Sequence, residues 1–417
     1  MTMNDLTGIN WVRLSFADVF GKTHSMQLPA ARFDEATQKG VPFDGSVLEG
    51  RARLIETDMR LLPDPSSLIE LGDGLARAVC VVLRDDGTPW LGDPRTALAM
   101  VLEETGSLGE DYTVSAELEF YLLDEDGEPV DSAGYFDEAE GLGIAVVREA
   151  AERLADASVG IESLHHEAGP GQFEIDLAPA PALQLADAIV LAKQIVRETA
   201  AEADLTATFM PRPISGEPGS GLHLHQRVGG RLVDDDGTLT SDGRAFLAGQ
   251  LEHARGLCAL ASPTVNSYKR LHSGPEAPST VVWAHVNRGA LIRLSPTGAE
   301  GATLEFRGAD PAANPYMLFA GLIIAAAHGL GTQAELPLAF EEEIGSFDPA
   351  ALASATRAEP LPRDLEEALS ALQNDDVLVD AFDAQLLSRL FDGRRAEASE
   401  YRAQVTPWEV DLYLEDA

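Results

Sequence analysis

The 417-residue chain is short of lysine. It has four, Lys22, Lys39, Lys193 and Lys269, against 69 acidic residues; the other basic residues are arginine and the net charge is −39. A surface this acidic excludes nucleic acid and anionic membranes as the main partners, because both are polyanions. Cysteine is nearly absent. Cys80 and Cys258 give no disulfide framework and fit a reducing compartment, and both lie in apolar runs that read as core. Long apolar runs are missing too: Leu318–Ala327 is far short of the ~18–20 residues of a membrane span, so no membrane partner is expected. The start, MTMNDLTGIN, has no basic and apolar signal region, which makes the cytoplasm the expected location. No GxxxxGK[ST] loop and no strand-GxGxxG-helix unit occurs. A nucleotide, if bound, has to be held by strands rather than at a helix N-terminus.

What is present is a folding chain. Hydrophobic residues make up 45% and charged residues 24%, the balance of a globular protein. At ~150 residues per domain the length suggests two or three domains. Trp11–Phe16 and Thr23–Leu28 flank a turn and predict a hairpin, and Ala78–Leu83 reads as a buried strand. Asp93-Pro94 then opens a helix, with Asp93 placed to cap it, and a domain boundary is set near residue 92. Further on, Tyr112–Leu123, Phe173–Leu177, Gly221–Val228 and Thr303–Arg307 alternate as strands. Helical patterns cover 183–203, 243–261, 311–329 and 376–392. Strands apolar on one face and polar on the other suit an antiparallel sheet backed by helices.

The polar faces carry the chemistry. Glu117 and Glu119 project from one side of their strand, as do Glu174 and Asp176, His223 and His225, and Glu305 and Arg307. A wet face is ordinarily built of Thr, Ser and Lys. This one offers carboxylates and imidazoles, which repel one another unless cations lie among them. Oxygen-rich ligation with a minority of imidazole suits Mg²⁺ or Mn²⁺ better than structural zinc. Arg270, Arg288, Arg293 and Arg307 supply guanidinium forks for phosphate or carboxylate on the stretch around Glu305. His253, His272 and His285 show no partner in the sequence and are left unassigned.

In order along nearly the whole chain, these segments resemble the glutamine synthetase family. The match runs through Phe43-Asp-Gly-Ser46, Glu56-Thr-Asp58, Glu117-x-Glu119, His165-His-Glu167, Gly171-Gln-x-Glu174 and Phe209-Met-Pro-x-Pro213. It continues through Gly219-Ser-Gly-x-His-x-His225, Asn266-Ser-Tyr-Lys-Arg270, Glu276-Ala-Pro278, Asn287-Arg288, Glu305-x-Arg307 and Asp310-Pro-Ala-Ala-Asn-Pro-Tyr316. The resemblance implies an α+β protein: an N-terminal β-grasp domain over 1–92, then a catalytic domain over 93–417 whose curved antiparallel sheet is backed by helices. It implies a homo-oligomer, a dodecamer of two stacked hexamers, with sites between subunits.

The implied reaction uses ATP to phosphorylate the γ-carboxylate of glutamate, after which ammonia displaces phosphate. An amine acceptor is the alternative, and a silent structural or regulatory homologue a third reading. Two ions, Mg²⁺ or Mn²⁺, are implied per site. Glu119, Glu167 and Glu174 would hold one; Glu117, His223 and Glu305 would hold the other. Gly219, Arg270 and Arg307 would bind glutamate, with Arg288 and Arg293 on the ATP phosphates and Glu162 and His225 near the nucleotide. Glu276 would close the site on a flap. Asp44, reaching from a neighbouring copy, would join Asp58, Tyr135 and Glu167 around the ammonium or amine. The chain departs from the family pattern at Val47, Arg212, Pro218, Arg227, His272, Pro275 and Thr303.

Overall fold

A computed structural model describes residues 6–49, 58–138, 140–234, 236–272, 274, 276–295, 301–341 and 359–415. Glu56 and Pro275, singled out above, lie outside the described residues.

Among the described residues, the first sheet has six strands: β1 (Trp11–Ala17), β2 (Thr23–Pro29), β3 (Val41–Asp44), β4 (Asp58–Pro63), β5 (Ile69–Gly72) and β6 (Leu75–Arg84). Their order is β2-β1-β6-β4-β3, with β5 also on β6. The predicted hairpin is β1–β2, registered from Trp11 opposite Pro29 to Ala17 opposite Thr23. Its turn is closed by the Asp18 carboxylate, which accepts from the backbone N–H of Phe20 and Lys22 at 3.0 and 2.9 Å. Alternate residues Val12, Leu14, Phe16, Leu61, Ala78 and Val82 form one small core. The run holding Ala78–Leu83 is the interior of β6, and Cys80 is buried there.

The helix Pro94–Glu104 begins where the sequence predicts, Asp93 accepting from Arg95 N at 3.2 Å. Arg95 lies at the junction between the two sheets. Its Nη2 donates to Asp64 and to Asp187, each at 2.9 Å, and Tyr316 Oη donates to the same Asp187 at 2.6 Å. Asn314 adds a bond to the hairpin turn, donating to Asp18 O at 3.0 Å.

The second sheet comprises β7 (Tyr112–Leu123), β8 (Ile161–His166), β9 (Gln172–Pro181), β10 (Thr206–Thr208), β11 (Leu222–Val228), β12 (Trp283–Ala284), β13 (Ile292–Ser295) and β14 (Thr303–Phe306). The order is β12-β13-β14-β11-β7-β9-β8, with β10 on β7. Every pair is antiparallel except β12–β13 at the edge. One face packs on the helices Leu142–Asp156, Ala182–Glu202, Ser241–Glu252, Ala254–Ala261 and Pro315–Thr332. The last is long and apolar enough to cross a membrane by length and composition, yet most of it is buried inside the fold. A helix apolar on all sides belongs in the core.

Two predicted helices are broken. The pattern at 243–261 is two helices hinged at His253, whose backbone leaves helical geometry (φ −95°, ψ 5°). The pattern at 376–392 splits because Asp383 starts a new helix, its carboxylate capping Gln385 N at 2.9 Å. Periodicity of apolar residues carries across both breaks, so it did not register them.

Candidate active site

The other face of the second sheet is polar, and strand register arranges it into rows. Arg293 lies opposite Glu305, Glu305 opposite His225, and His225 opposite Ser115. In the next row His223 faces Glu117, which faces Asp176. In the third, Glu119 faces Glu174, which faces His165. Alternation puts each residue on this face; register then brings residues from six strands together.

Three overlapping sets of ligand atoms result. Glu117, His223 and Glu305 converge, as do Glu119, Glu174 and His223, and His165, Glu174 and Asp176, each set with one donor atom per residue within 4.8 Å of the others. His223 Nδ1 and His225 Nε2 each lie 2.7 Å from a Glu117 oxygen. Arg293 Nε donates to Glu305 at 2.5 Å, and Arg307 bonds its other oxygen. Glu305 is 0% exposed, so both carboxylate oxygens depend on these cations.

Electrostatics divides the face in two. At Glu117 burial favours the neutral acid, but the bonds from His223 and His225 outweigh it and hold the carboxyl well below its usual range. Glu305 is likewise lowered, its burial overcome by Arg307 and the two histidines. On the other side, burial and the charge of Glu119 push Glu167 up to about 8. Burial, then Glu117 and Glu119, raises Glu174 well above the ordinary value. His165 is the near cation-type neighbour, its Nε2 3.1 Å from Glu174 and its Nδ1 3.5 Å from Glu167. A buried carboxylate cluster with too little positive charge is suited to take up a hard dication.

A glycine loop crosses this cluster. Gly221 N donates to Glu119 Oε2 at 2.8 Å. A Cβ on Gly221 would come within 2.6 Å of His223 Nε2, and one on Gly219 within 2.7 Å of the Arg270 side chain and of Pro211 O. No side chain fits at either place, which leaves the backbone open to whatever the cluster binds. Arg270 is buried beside the loop, its Nη2 donating to Arg307 O at 3.2 Å. Arg307 Nε in turn donates to Arg288 O at 2.9 Å.

Several residues named from the sequence lie at the margin. Arg288 bonds the Tyr135 hydroxyl and feels the charges of Glu276 and Glu305, which raise it. Tyr135 and Glu276 are both exposed, and the charge of Glu276 also reaches Glu167. Glu162 is exposed on β8. Asp44 and Asp58 are not joined to the cluster within this chain: they lie directly opposite each other on β3 and β4, both exposed. Ser46 bonds Asp44 from its backbone and hydroxyl at 2.9 and 2.8 Å and lowers its pKa.

Neutral side chains to which the sequence assigned no role complete the face. Thr303 Oγ1 lies 2.9 Å from His225 Nδ1 and orients that ring. Gln172 donates to Glu119 Oε2 and to Gly219 O, both at 3.2 Å. Tyr121 Oη donates to Pro218 O at 2.8 Å, so the proline that departs from the family pattern is tethered by its carbonyl. Tyr121 shares the polar face with Glu117 and Glu119, and that placement was the available signal.

A sheet face that gathers carboxylates, imidazoles and arginines is equipped to hold divalent cations together with phosphate or carboxylate groups. Residues 8–83 match the glutamine synthetase beta-Grasp domain, and 91–413 the glutamine synthetase catalytic domain. The chain belongs to the glutamine synthetase family. It is 38% identical to the glutamine synthetase of Halobacterium salinarum, over 98% of this chain and 94% of that one. Identity is 36% to the Staphylococcus aureus enzyme, over 97% and 95%. Among solved structures, ligand-free GmaS is 30% identical, with a TM-score of 0.85 over 98% of this chain and 97% of that one. The Plasmodium falciparum glutamine synthetase, at 22% identity and a TM-score of 0.88 over 98% and 96%, supports the fold alone.

Proposed function

We propose that the protein activates the γ-carboxylate of glutamate with ATP and couples it to ammonia, releasing ADP and phosphate. The supporting observation is the aligned rows, which gather five of the six ligands, Glu117, Glu119, Glu174, His223 and Glu305, with Glu167 just past the end of β8 and four arginines beside them. Glu119, Glu167 and Glu174 would hold one Mg²⁺ or Mn²⁺ and Glu117, His223 and Glu305 the second; bound ions there neutralise phosphate charge and fix its orientation. Gly219, Arg270 and Arg307 bind glutamate; the glycine offers its backbone and the arginines pair with carboxylate. Arg288 and Arg293 hold the ATP phosphates, with Glu162 and His225 toward the nucleotide. A carboxylate oxygen of glutamate bonds to the γ-phosphorus as the bond to ADP breaks. Nitrogen then attacks the acyl carbon and phosphate leaves. Arginine charge stabilises both transfers. Glu276, exposed and near Arg288, takes a proton from the attacking nitrogen.

The acceptor pocket is formed by Tyr135 and Glu167 of one copy with Asp44 and its cross-strand neighbour Asp58 from an adjacent copy, in a ring of two stacked hexamers. The units 1–92 and 93–417 then meet between subunits. A phosphate-release assay with ATP, Mg²⁺ and glutamate over a panel of ammonia and amines tests this. Turnover with ammonia supports the reading; no phosphate release with any acceptor overturns it. Asp58→Asn should raise the acceptor KM or lower kcat while the KM for ATP stays put, because only the acceptor arrives as a cation. A defect mainly in ATP binding would contradict that pocket.

A second reading, a γ-glutamyl-amine ligase, draws support from GmaS, a γ-glutamylmethylamide synthetase. Apolar groups also border the pocket. Val47 is exposed near Asp44, and Phe136 stacks on His165 at 4.4 Å beside Tyr135. In either reading Tyr121→Phe frees the Pro218 carbonyl. Losing one hydrogen bond of ~0.5–1.5 kcal/mol should raise the glutamate KM about 2- to 10-fold. Unchanged glutamate kinetics would remove Tyr121 from any positioning role.

A further inference from the structure

A second set of ligand-type side chains lies in the helical layer. His253, at the hinge between Ser241–Glu252 and Ala254–Ala261, has its Nδ1 2.7 Å from Asp375 Oδ2. The other Asp375 oxygen accepts from Leu378 N at 3.1 Å, which fixes that carboxylate as a helix cap. An imidazole whose Nδ1–H is engaged by a fixed carboxylate keeps a bare lone pair on Nε2. That Nε2 faces His328 Nδ1, on the helix Pro315–Thr332, at 2.9 Å. Glu252 Oε2 lies 4.0 Å from the same His328 nitrogen. The three residues each offer a donor atom within 4.8 Å of the others. They open into a cavity of about 410 Å³ also lined by Arg255, Asp375 and Asp376.

We propose that Glu252, His253 and His328 bind a transition-metal dication of the Zn²⁺ or Ni²⁺ type. Two nitrogens bound to one ion at ~2.0–2.1 Å, subtending roughly 90–110°, stand about 2.9–3.4 Å apart. The observed spacing already lies at that bite, and a turn of the partly exposed His328 ring aims its lone pair at the ion. Two imidazoles and a carboxylate favour such a metal over Mg²⁺, which prefers oxygen and water. Asp375 acts as the outer carboxylate that orients His253. The bound ion would tie together the hinge at His253, the helix Pro315–Thr332 and the helix Asp376–Asp380 capped by Asp375. None of these residues lies on the polar sheet face.

The test titrates Zn²⁺ into the full-length protein, with saturating Mg²⁺ and ADP, and reads stoichiometry by calorimetry. The wild type should bind one more Zn²⁺ per chain than His328→Ala. Mg²⁺-dependent turnover should be the same in both, which also shows that the variant is folded; if His328→Ala does not fold, His328→Gln is read in its place. Asp375→Asn should weaken the extra site about 10- to 100-fold, the usual effect of losing an outer carboxylate. Zn²⁺ should raise the thermal midpoint of the wild type above that of His328→Ala. Equal stoichiometry and affinity in wild type and variant overturns the site. So does an equal loss in His285→Ala, an exposed histidine paired with Glu341 elsewhere.

Discussion

Glu305→Gln should reduce phosphate release about 100- to 1,000-fold, and Glu119→Gln should do the same. A bound dication contributes several kcal/mol to phosphoryl transfer, and each ~1.4 kcal/mol is tenfold in rate. The two variants should part company in stability. Glu305 is buried and bonded to Arg293 and Arg307, so its neutral replacement leaves two guanidinium groups short of a counter-charge. Breaking a buried pair of this kind costs about 3–5 kcal/mol. Glu119 adds to the repulsion that raises Glu167 and Glu174. Its neutralisation should therefore leave the metal-free fold as stable as wild type or more so. Phosphate release and thermal unfolding in chelator measure the two effects. Full turnover in either variant would sink the two-ion reading, and equal melting shifts would sink the electrostatic division of the face.

Mn²⁺ binding at pH 7 should release about one proton per chain or more. Glu167, raised to about 8, is largely protonated at that pH, and burial with Glu117 and Glu119 raises Glu174 in the same direction. Carboxylates must ionise to ligate a metal, so loading expels those protons. The sign for stability follows from the same shifts. A carboxyl whose folded pKa exceeds its unfolded value near 4.5 supports the fold below that value and withdraws support as pH rises toward 8. The metal-free protein should thus lose stability over this window, with Mn²⁺ restoring it. Apparent Mn²⁺ affinity should climb with pH up to about 8. Calorimetry in buffers of different ionisation enthalpy counts the protons, and Glu167→Gln should release about one fewer. No proton release at pH 7 would refute the account.

Much of the sheet face was legible because alternation is a local property. Glu117 and Glu119, or His223 and His225, share a side whatever the strand pairs with. Register is not local. That Glu305 stands opposite His225, 80 residues earlier in the chain, depends on which strands neighbour each other; the family resemblance implied only that Glu305 meets Glu117 and His223. Tyr121 and Gln172 received no role, and Thr303 was noted only as a departure from the family pattern, because neutral side chains resemble ordinary sheet residues until their partners are known. His253 was left without a partner because Asp375 lies 122 residues away on a separate helix. Asp44 and Asp58 came from resemblance; the structure adds that they are direct cross-strand neighbours.

The Arg95 junction has a consequence for cooperativity. One guanidinium spans Asp64 beneath the first sheet and Asp187 on a helix behind the second, while Asn314 grips the β1–β2 turn. Separating the sheets would strand a buried cation and two carboxylates at once, a cost the small first core cannot recover by itself. The described parts of the two sheets are therefore tied at this junction, and β3, which bears Asp44, belongs to the sheet so tied.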